Sequence, residues 1–359
     1  MTASRTDVLR MRRLAQAIDG DREHSPADVV RRMLAVQAQD FGAACWALGL
    51  RTTDATRSDV LADLDAGRIV RSWPMRGTLH FVPTEDLRWM LSVTTERMVA
   101  GLARRHAELE LADHDFGRAR DLLVAELEGG RSIGRADLMA LWEGNGIATA
   151  GQRGYHLIYY LAQTGVVCWG PTHRTQQALV LLDEWAPQGR SLEEDEAHAE
   201  FLLRYLTGHG PATLKDFVWW TKGTVAGAKR GLAVLGDAVT TLEVEGTSYL
   251  VTAELADRAA AHPERRSERD AVHLLPGFDE YLLGFQDRSP ILEDEHAAAI
   301  VPGGNGVFQP IIVARGRIVG TWRTGGAKGE PEARPFGELG AGQRAALARS
   351  ARAYRRFAD

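Results

Sequence analysis

Two glutamines separated by one small residue, Gln37 and Gln39, have a type and spacing that could support chemistry. Residues i and i+2 point about 200° apart on a helix, but they project to the same side of an extended chain. If both side chains address one site, the helix must therefore end or distort before them. A neutral amide cannot act as a general base, so the pair suits a substrate that already carries the driving force. Two amide oxygens can still accept hydrogen bonds from a water molecule and orient it.

The alternative is that both glutamines belong to a solvated helix terminus without a chemical role. The next residue, Asp40, points away from both glutamines on an extended chain. We therefore interpret Asp40 as a helix N-cap or a surface acid rather than as part of the pair.

Helix signals surround this pair. An amphipathic segment over 7–19 predicts a first helix, and Ser25 to Asp28 supply an N-cap, a proline at the first helical position and an acid in the first turn. Further helices are predicted over 42–50 and 58–65, followed by strands over 69–73 and 77–82. Several short helices closed by a β-ribbon are typical of a winged-helix module.

The same order recurs twice along the chain. Helical patterns and paired strands predict a second module and a third, and the last hundred residues predict a β-hairpin with arginines at its tip and a basic helix. These elements are helices 116–128, 132–143 and 150–164 with strands 166–169 and 178–181; helices 196–208 and 222–235 with strands 239–244 and 248–251; and hairpin strands 307–313 and 318–322 with helix 337–357.

The composition is that of an ordinary globular protein of 359 residues with a net charge of −5. This charge argues mildly against nucleic-acid binding, but residues 310–359 hold ten Arg or Lys against four Asp or Glu, so a local basic face is compatible with it. The two cysteines, Cys45 and Cys168, lie far apart and show no metal-ligand spacing. With no apolar run of about 18 residues, we expect a cytoplasmic protein with no metal, no cofactor and no membrane partner.

Four stretches carry a family resemblance. The runs over residues 32–40 (RMLAVQAQD) and 71–80 (RSWPMRGTLH), together with 275–284 (LPGFDEYLLG) and 320–323 (GTWR), resemble the AlkZ/YcaQ family of tandem winged-helix DNA glycosylases. In the family's catalytic Gln-aliphatic-Gln motif, Gln37 and Gln39 match the two glutamines. Relatives with Gln-x-Asp would offer a carboxylate at the second position, so this chain is closer to the AlkZ branch.

The resemblance implies an α+β, mostly α fold of three winged-helix-like modules in a C-shaped arrangement, followed by a β-hairpin and helix. It implies a monofunctional DNA glycosylase that releases N3- or N7-alkylated purines from double-stranded DNA, extending to bulky adducts and interstrand crosslinks, in repair or self-resistance. We expect a monomer that is associated with the nucleoid. The predicted modules are 1–112 with the catalytic motif, 113–190, 191–262, and the C-terminal hairpin and helix region 263–359.

Five basic side chains are predicted to contact DNA. Arg71, Arg76 and His80 flank the first ribbon and could approach phosphate or the lesion, although ribbons also use such residues for hydrogen bonds between domains. Arg315 and Arg317 occupy the tip of the last hairpin and could enter a groove, although exposed turn arginines are common.

Other polar and aromatic pairs have a structural interpretation. Asp279 and Glu280 are adjacent and should face apart, so a role at a helix N-terminus is favoured over paired-carboxylate catalysis. The pairs Trp219-Trp220 and Tyr159-Tyr160 could stack on an extruded base, but their apolar helical surroundings favour core packing.

The rival function is a non-catalytic tandem winged-helix DNA-binding protein or transcription regulator, since winged helices are usually binding modules. Such a protein should expose a basic recognition helix, whereas the stretch 42–50 carries no charge before Arg51. A weaker alternative is a self-resistance factor that sequesters a genotoxic metabolite.

Overall fold

The chain folds into two compact units. The first combines Met1–Val60 with His198–Asp359, and the second is Leu61–Ala197. The structure is a computed structural model, and it describes residues 3–173, 176–261, 263–325 and 329–358.

Helices dominate the described residues. In chain order they are α1 (Arg5–Ala15), α2 (Pro26–Met33), α3 (Phe41–Gly49), α4 (Arg57–Asp65), α5 (Leu87–Ala100), α6 (Ala103–Glu108), α7 (Asp113–Leu127), α8 (Arg135–Gly144), α9 (Arg153–Gln163), α10 (Leu182–Trp185), α11 (Glu194–His209), α12 (Leu214–Thr221), α13 (Val225–Leu235), α14 (Ala253–Ala261), α15 (Arg266–Arg269), α16 (Glu280–Leu283), α17 (Ala297–Ile300) and α18 (Ala341–Ala358).

The strands are short and mostly paired as hairpins. They are β1 (Val36–Gln37), β2 (Ile69–Met75), β3 (Thr78–Pro83), β4 (Val167–His173), β5 (Gln176–Leu181), β6 (Val239–Val244), β7 (Thr247–Thr252), β8 (Val272–Leu275), β9 (Ile311–Ala314), β10 (Arg317–Gly325) and β11 (Glu330–Pro335).

In the first unit, α1 packs against a hairpin that is distant in sequence. Its Val8 and Ala15 share a buried cluster with Leu242 and Val251 of the β6–β7 hairpin and with Leu255 of α14. The helix ends at Ala15, earlier than the predicted residue 19. The reason is the left-handed backbone of Ala17, whose φ of 51° cannot continue a right-handed helix.

In the second unit, the two predicted ribbons are both present and are joined to each other. The β2–β3 and β4–β5 hairpins pair through Arg71 opposite Trp169, so these strands lie in the order β3-β2-β4-β5. Trp73, Trp142 and Leu157 lie in the buried cluster of this unit. The ribbons were predicted from local alternation, but their mutual pairing depends on residues about a hundred positions apart.

The C-terminal hairpin is also present, as β9 and β10 around Arg315 and Gly316. It belongs to a four-stranded antiparallel sheet in the order β11-β10-β9-β8, which is larger than the predicted hairpin. The strand β11 reads Glu-Pro-Glu-Ala-Arg-Pro, so it lacks the apolar alternation that predicts a strand. It is paired with β10 along its whole length.

The predicted basic C-terminal helix is present as α18, and it packs against β8 and β11 of this sheet. Its Phe357 is buried beside Gly49 of α3, and the ring lies 5.3 Å from that of Trp46. A Cβ at position 49 would come within 2.2 Å of the Phe357 ring, so only glycine permits this contact. No helix in the described part of the chain is long and apolar enough to cross a membrane.

The two cysteines give a first testable prediction. Both Cys45 and Cys168 are buried and neither forms a disulfide, and burial raises the pKa of the Cys168 thiol to about 12. The thiolate is the reactive form, so at about pH 8 the folded protein should not react with a thiol reagent such as Ellman's. The unfolded protein should titrate both thiols. Equal reaction rates before and after unfolding would contradict the burial of these residues.

Candidate active site

The glutamine segment begins where α2 ends. Ser25 caps α2 by accepting a hydrogen bond from the Asp28 backbone N–H, with Pro26 at the first helical position, as predicted. The helix stops at Met33, because Leu34 has a φ of 62° that no right-handed helix continues. The chain thus leaves the helix before the glutamines, which is the condition for both to address one site.

The segment itself is extended at Val36–Gln37 and is closed by a new helix. Asp40 is the N-cap of α3, and its Oδ1 accepts a hydrogen bond of 3.0 Å from the Ala43 backbone N–H. The interpretation of Asp40 as an N-cap is therefore confirmed. The glutamines lie in the short connection between two capped helices, where rigid elements on both sides limit its movement.

The two glutamines differ in exposure. Gln37 is 9% exposed and Ala38 is fully buried, whereas the side chain of Gln39 lies on the surface. The small Ala38 fills the interior between them. One amide is thus held by its surroundings, while the other is accessible from solvent.

A buried carboxylate holds the backbone of this segment. The Gln37 N–H donates to Oε1 of Glu280 at 3.1 Å, and Oε2 of Glu280 accepts from the indole Nε1–H of Trp220 at 2.8 Å. The Nε2 of His209 lies 3.3 Å from the same Oε2. Glu280 is 1% exposed, and Trp220 and His209 are fully buried. Three chain segments therefore converge on one carboxylate beneath Gln37.

The helix α11, which ends at His209, also contacts the end of α2. A Cβ on Gly208 would lie 2.9 Å from the Met33 Cα, so the two helices approach each other closely at the point where α2 ends. The guanidinium of Arg204 donates to the Arg31 carbonyl at 3.2 Å, which satisfies a backbone group at the end of α2.

The adjacent Asp279 serves a different partner. It is the N-cap of α16, accepting from the Tyr281 N–H at 2.9 Å, as its predicted helix N-terminal role requires. It also accepts two hydrogen bonds from the Arg51 guanidinium, at 2.8 and 2.9 Å. The two neighbouring carboxylates therefore face apart, as expected, and the paired-carboxylate mechanism has no basis in this geometry.

The first group of predicted DNA contacts lies in the second unit, on the β2–β3 hairpin. Arg71 is half-buried within β2, and Arg76 is half-buried at the turn. His80 is fully buried. Its Nδ1 lies 2.8 Å from the Thr78 carbonyl, so Nδ1 must carry the proton, and Nε2 can then accept from Arg76 Nη2 at 2.9 Å.

The second group lies in the first unit, at the β9–β10 turn. The side chain of Arg315 is 67% exposed, donates to the Arg269 carbonyl at 3.2 Å and lies 3.9 Å from Asp270. Arg317 forms an ion pair with Glu293. Both guanidinium groups thus reach the surface, each beside a neighbour within the first unit.

Comparison with known proteins decides the family. A family model described as DNA glycosylase AlkZ-like matches residues 30–357. The chain belongs to this family. The family prediction is thereby confirmed, and with it the enzyme class of DNA glycosylase and DNA as the substrate polymer.

Two further comparisons support the assignment of this AlkZ-like chain. A Streptomyces sahachiroi protein named interstrand DNA cross-link repair glycosylase is 28% identical over 344 residues, which cover 90% of this chain and 88% of that protein. The solved structure of the Streptomyces sahachiroi DNA glycosylase AlkZ matches with a TM-score of 0.84 at 25% identity, covering 99% of this chain and 97% of that one. The mostly α-helical α+β fold is confirmed by this match.

The helix that follows the glutamines is not a basic recognition helix. In α3, every residue from Ala44 to Gly49 is buried, and the helix carries no charged side chain. A winged-helix binding protein would need an exposed basic helix in the groove. This part of the AlkZ-like chain therefore contributes to the core.

The aromatic pairs pack mainly inside the protein. Trp220 and Tyr159 are buried, which confirms the interpretation of both as core residues. Trp219 is partly exposed, and the charged groups of Lys222 and Arg288 lie 5.6 and 5.3 Å from its ring centre. This contact with cations was not predicted from the sequence.

A cavity of about 490 Å³ lies elsewhere in the first unit, between α3, β8 and α18. Its lining includes Trp46, His273 and Phe357 but neither glutamine. The segment of Gln37 is the better candidate for the active site, because the family motif and the buried Glu280 that bonds it lie there. Across the described residues, no three His, Cys, Asp or Glu side chains are grouped to hold a metal ion.

Sequence reasoning missed Glu280, Trp220 and His209 as supports of the glutamine segment. Glu280 was recognised as the start of a helix, and it does open α16. The signal that could have found it is its place between the apolar Phe278 and the apolar run Tyr281-Leu282-Leu283, since a carboxylate buried among such residues requires partners.

Proposed function

We propose that this AlkZ-like chain is a monofunctional DNA glycosylase that hydrolyses the N-glycosidic bond of N3- or N7-alkylated purines in double-stranded DNA. Gln37 and Gln39 would be its catalytic residues. The observation that carries the proposal is the extended segment between α2 and α3, which presents the glutamine motif of the family outside a helix.

The chemistry of the lesion explains why amides suffice. Alkylation at N3 or N7 places positive charge on the purine, so the base departs without a proton from the enzyme. The enzyme then needs to hold a water molecule near the anomeric carbon and to stabilise an oxocarbenium-like sugar. Amide oxygens accept from the water and remain neutral at every working pH.

The different exposure of the two glutamines suits this task. Gln37, nearly buried and anchored through its backbone, provides a fixed acceptor, while the exposed Gln39 can meet the DNA directly. Fixed geometry matters, because displacing a catalytic group by about 1 Å can reduce a rate by roughly a hundredfold.

We further propose that the five predicted basic residues bind the DNA backbone. Arg315 and Arg317 offer guanidinium groups at the surface of a hairpin tip. Arg71 and Arg76 are half-buried, and the buried His80 would act by orienting Arg76 through their hydrogen bond of 2.9 Å. Such phosphate contacts would position the duplex without reading its sequence.

The relative's name suggests how far the substrate range extends. The Streptomyces sahachiroi protein is named for interstrand cross-link repair. We propose that this chain likewise accepts bulky N7 adducts and unhooks interstrand crosslinks, acting as a monomer in the cytoplasm on the nucleoid. The module boundaries after residues 112, 190 and 262 remain predictions.

The proposal is tested by incubating the protein with duplex DNA that carries a single N7-methylguanine. We expect release of free N7-methylguanine and an abasic site that is cleaved only after alkali. A duplex with a bulky N7 adduct and an N7-linked interstrand crosslink should be processed in the same way. If none of the three substrates releases a base while the protein binds each duplex, the rival DNA-binding function would replace this proposal.

A second experiment tests whether the glycosylase is monofunctional. No lysine lies near the glutamine motif in the sequence, so a Schiff base between enzyme and sugar is not expected. Reduction with borohydride during the reaction should therefore leave the protein unattached to DNA. A covalent adduct trapped under these conditions would contradict hydrolysis by an activated water.

A further inference from the structure

One buried carboxylate outside the glutamine motif is attached directly to it. Oε1 of Glu280 accepts a hydrogen bond of 3.1 Å from the Gln37 backbone N–H, across 243 residues of chain. Both residues are buried, at 1% and 9% exposure. Without this acceptor, the Gln37 N–H would be a buried donor with its partner removed, which is an unfavourable arrangement.

The other oxygen of Glu280 is held by the interior. Oε2 accepts from the Trp220 indole N–H at 2.8 Å and lies 3.3 Å from Nε2 of His209. The imidazole of His209 is stacked on the ring of Tyr205, with 4.8 Å between ring centres. The carboxylate is therefore fixed from the side opposite to Gln37 by rigid aromatic groups, and it transmits their position to the backbone of the motif.

We infer that Glu280 is a positioning residue for base excision, acting through the backbone of Gln37. This inference rests on the proposed function of Gln37. Because Leu34 breaks the helix with a left-handed backbone, the hydrogen bonds of α2 do not continue into the motif. The bond to Glu280 ties the backbone of the motif to the buried interior, and it helps to set the position of the Gln37 side chain.

The geometry makes glutamine a specific probe at position 280. A carboxylate can accept at both oxygens, whereas an amide offers one acceptor and one NH₂ donor. Whichever way the new amide turned, its NH₂ would face either the Gln37 N–H or the Trp220 N–H. The variant Glu280→Gln thus keeps the size of the side chain. In one orientation it removes the bond to the Gln37 N–H, and in the other it leaves that bond weaker, on a neutral oxygen, and removes the bond to Trp220 that holds the side chain in place.

The test measures single-turnover release of N7-methylguanine from duplex DNA, with enzyme in excess and well below the unfolding temperature. Glu280→Gln should be slower by about 10- to 100-fold, the effect of losing a hydrogen bond to a charged group. The matched control is Tyr281→Phe, next to Glu280 on α16, which removes a buried hydrogen bond of 2.8 Å from the Tyr281 hydroxyl to the Gly316 carbonyl. The control should release the base at the wild-type rate.

A double-mutant cycle separates positioning from general damage. If Glu280 acts through Gln37, the change Glu280→Gln should slow the wild type but have little further effect in a Gln37→Ala background. An equal slowing in both backgrounds would overturn the inference. So would a wild-type rate for Glu280→Gln.

Amide hydrogen exchange gives a readout that does not depend on activity. The backbone N–H of Gln37 should be protected from exchange in the wild type and in Tyr281→Phe, and should exchange faster in Glu280→Gln. If that variant fails to fold, Glu280→Asp keeps the charge but is one methylene shorter, and should show the same direction of change in rate and exchange. An unprotected Gln37 amide in the wild type would overturn the inference.

Failure of the proposed function and failure of this inference give different results. A wild-type protein that releases no base contradicts the function. An active wild type that is slowed by Gln37→Ala but not by Glu280→Gln leaves the function standing and removes Glu280 from it.

Discussion

Replacing Gln37 by alanine is expected to slow single-turnover release of N7-methylguanine by roughly 100-fold or more. The reason is that a methyl group can neither accept a hydrogen bond from the attacking water nor keep that water near the anomeric carbon. Affinity for the same duplex should be retained, because Gln37 is only 9% exposed and offers little surface to DNA. Both quantities are measured on one substrate, by quenched single-turnover reactions and by anisotropy titration.

A matched substitution distinguishes this role from a general loss of an amide. Gln188 is an exposed glutamine in the second unit, and Gln188→Ala should leave both the rate and the affinity unchanged. Gln39→Ala should slow base release as well, in keeping with its place in the motif. If Gln37→Ala and Gln188→Ala release the base at the same rate, the water-holding role assigned to Gln37 is wrong.

Replacing Asp279 by alanine is expected to reduce the free energy of unfolding by about 3–5 kcal/mol, the effect of breaking a buried ion pair at one partner. Asp279 and Arg51 have side chains that are 0% and 1% exposed. The guanidinium of Arg51 would keep its bonds to the carbonyls of Gln16 and Ala47 but would lose its counter-charge. Urea denaturation at neutral pH measures the change through the transition midpoint and slope.

The control for this prediction is an ion pair at the surface. Arg104 and Glu108 are bonded at 3.0 Å with side chains that are 92% and 45% exposed. Water screens such a pair, so Arg104→Ala should leave the free energy of unfolding almost unchanged. Replacing both buried partners, as Arg51→Met with Asp279→Leu, should recover part of the loss. Equal destabilisation by Asp279→Ala and Arg104→Ala would contradict the importance of burial.

The amino-acid sequence by itself determined the local features of this protein. The start of α2 at Ser25 and the cap of α3 at Asp40 each depend on a side chain that bonds a backbone N–H three residues away. The hairpins β2–β3 and β6–β7 follow from alternating strands beside a short turn. These features depend only on neighbouring residues, so the sequence alone predicts them.

The glutamine motif and its family could also be recognised from the sequence, because the motif consists of neighbouring residues. The sequence placed Gln37 and Gln39 in the chain and required an end of the helix before them. It did not indicate that Gln37 would be nearly buried and Gln39 exposed, since burial depends on which distant segments pack over each residue.

Only the tertiary structure decided the supports of the site. Glu280 reaches the Gln37 N–H across 243 positions, and Trp220 and His209 hold its other oxygen. The strand β11, without apolar alternation, is formed by pairing with β10. In each case the partner is remote in sequence. Hydrophobic periodicity and capping residues predict local structure only, so they do not predict such a contact. The physical reason is that a buried polar group must be hydrogen-bonded, and tertiary packing determines which remote group becomes its partner. Local sequence patterns do not reveal that partner.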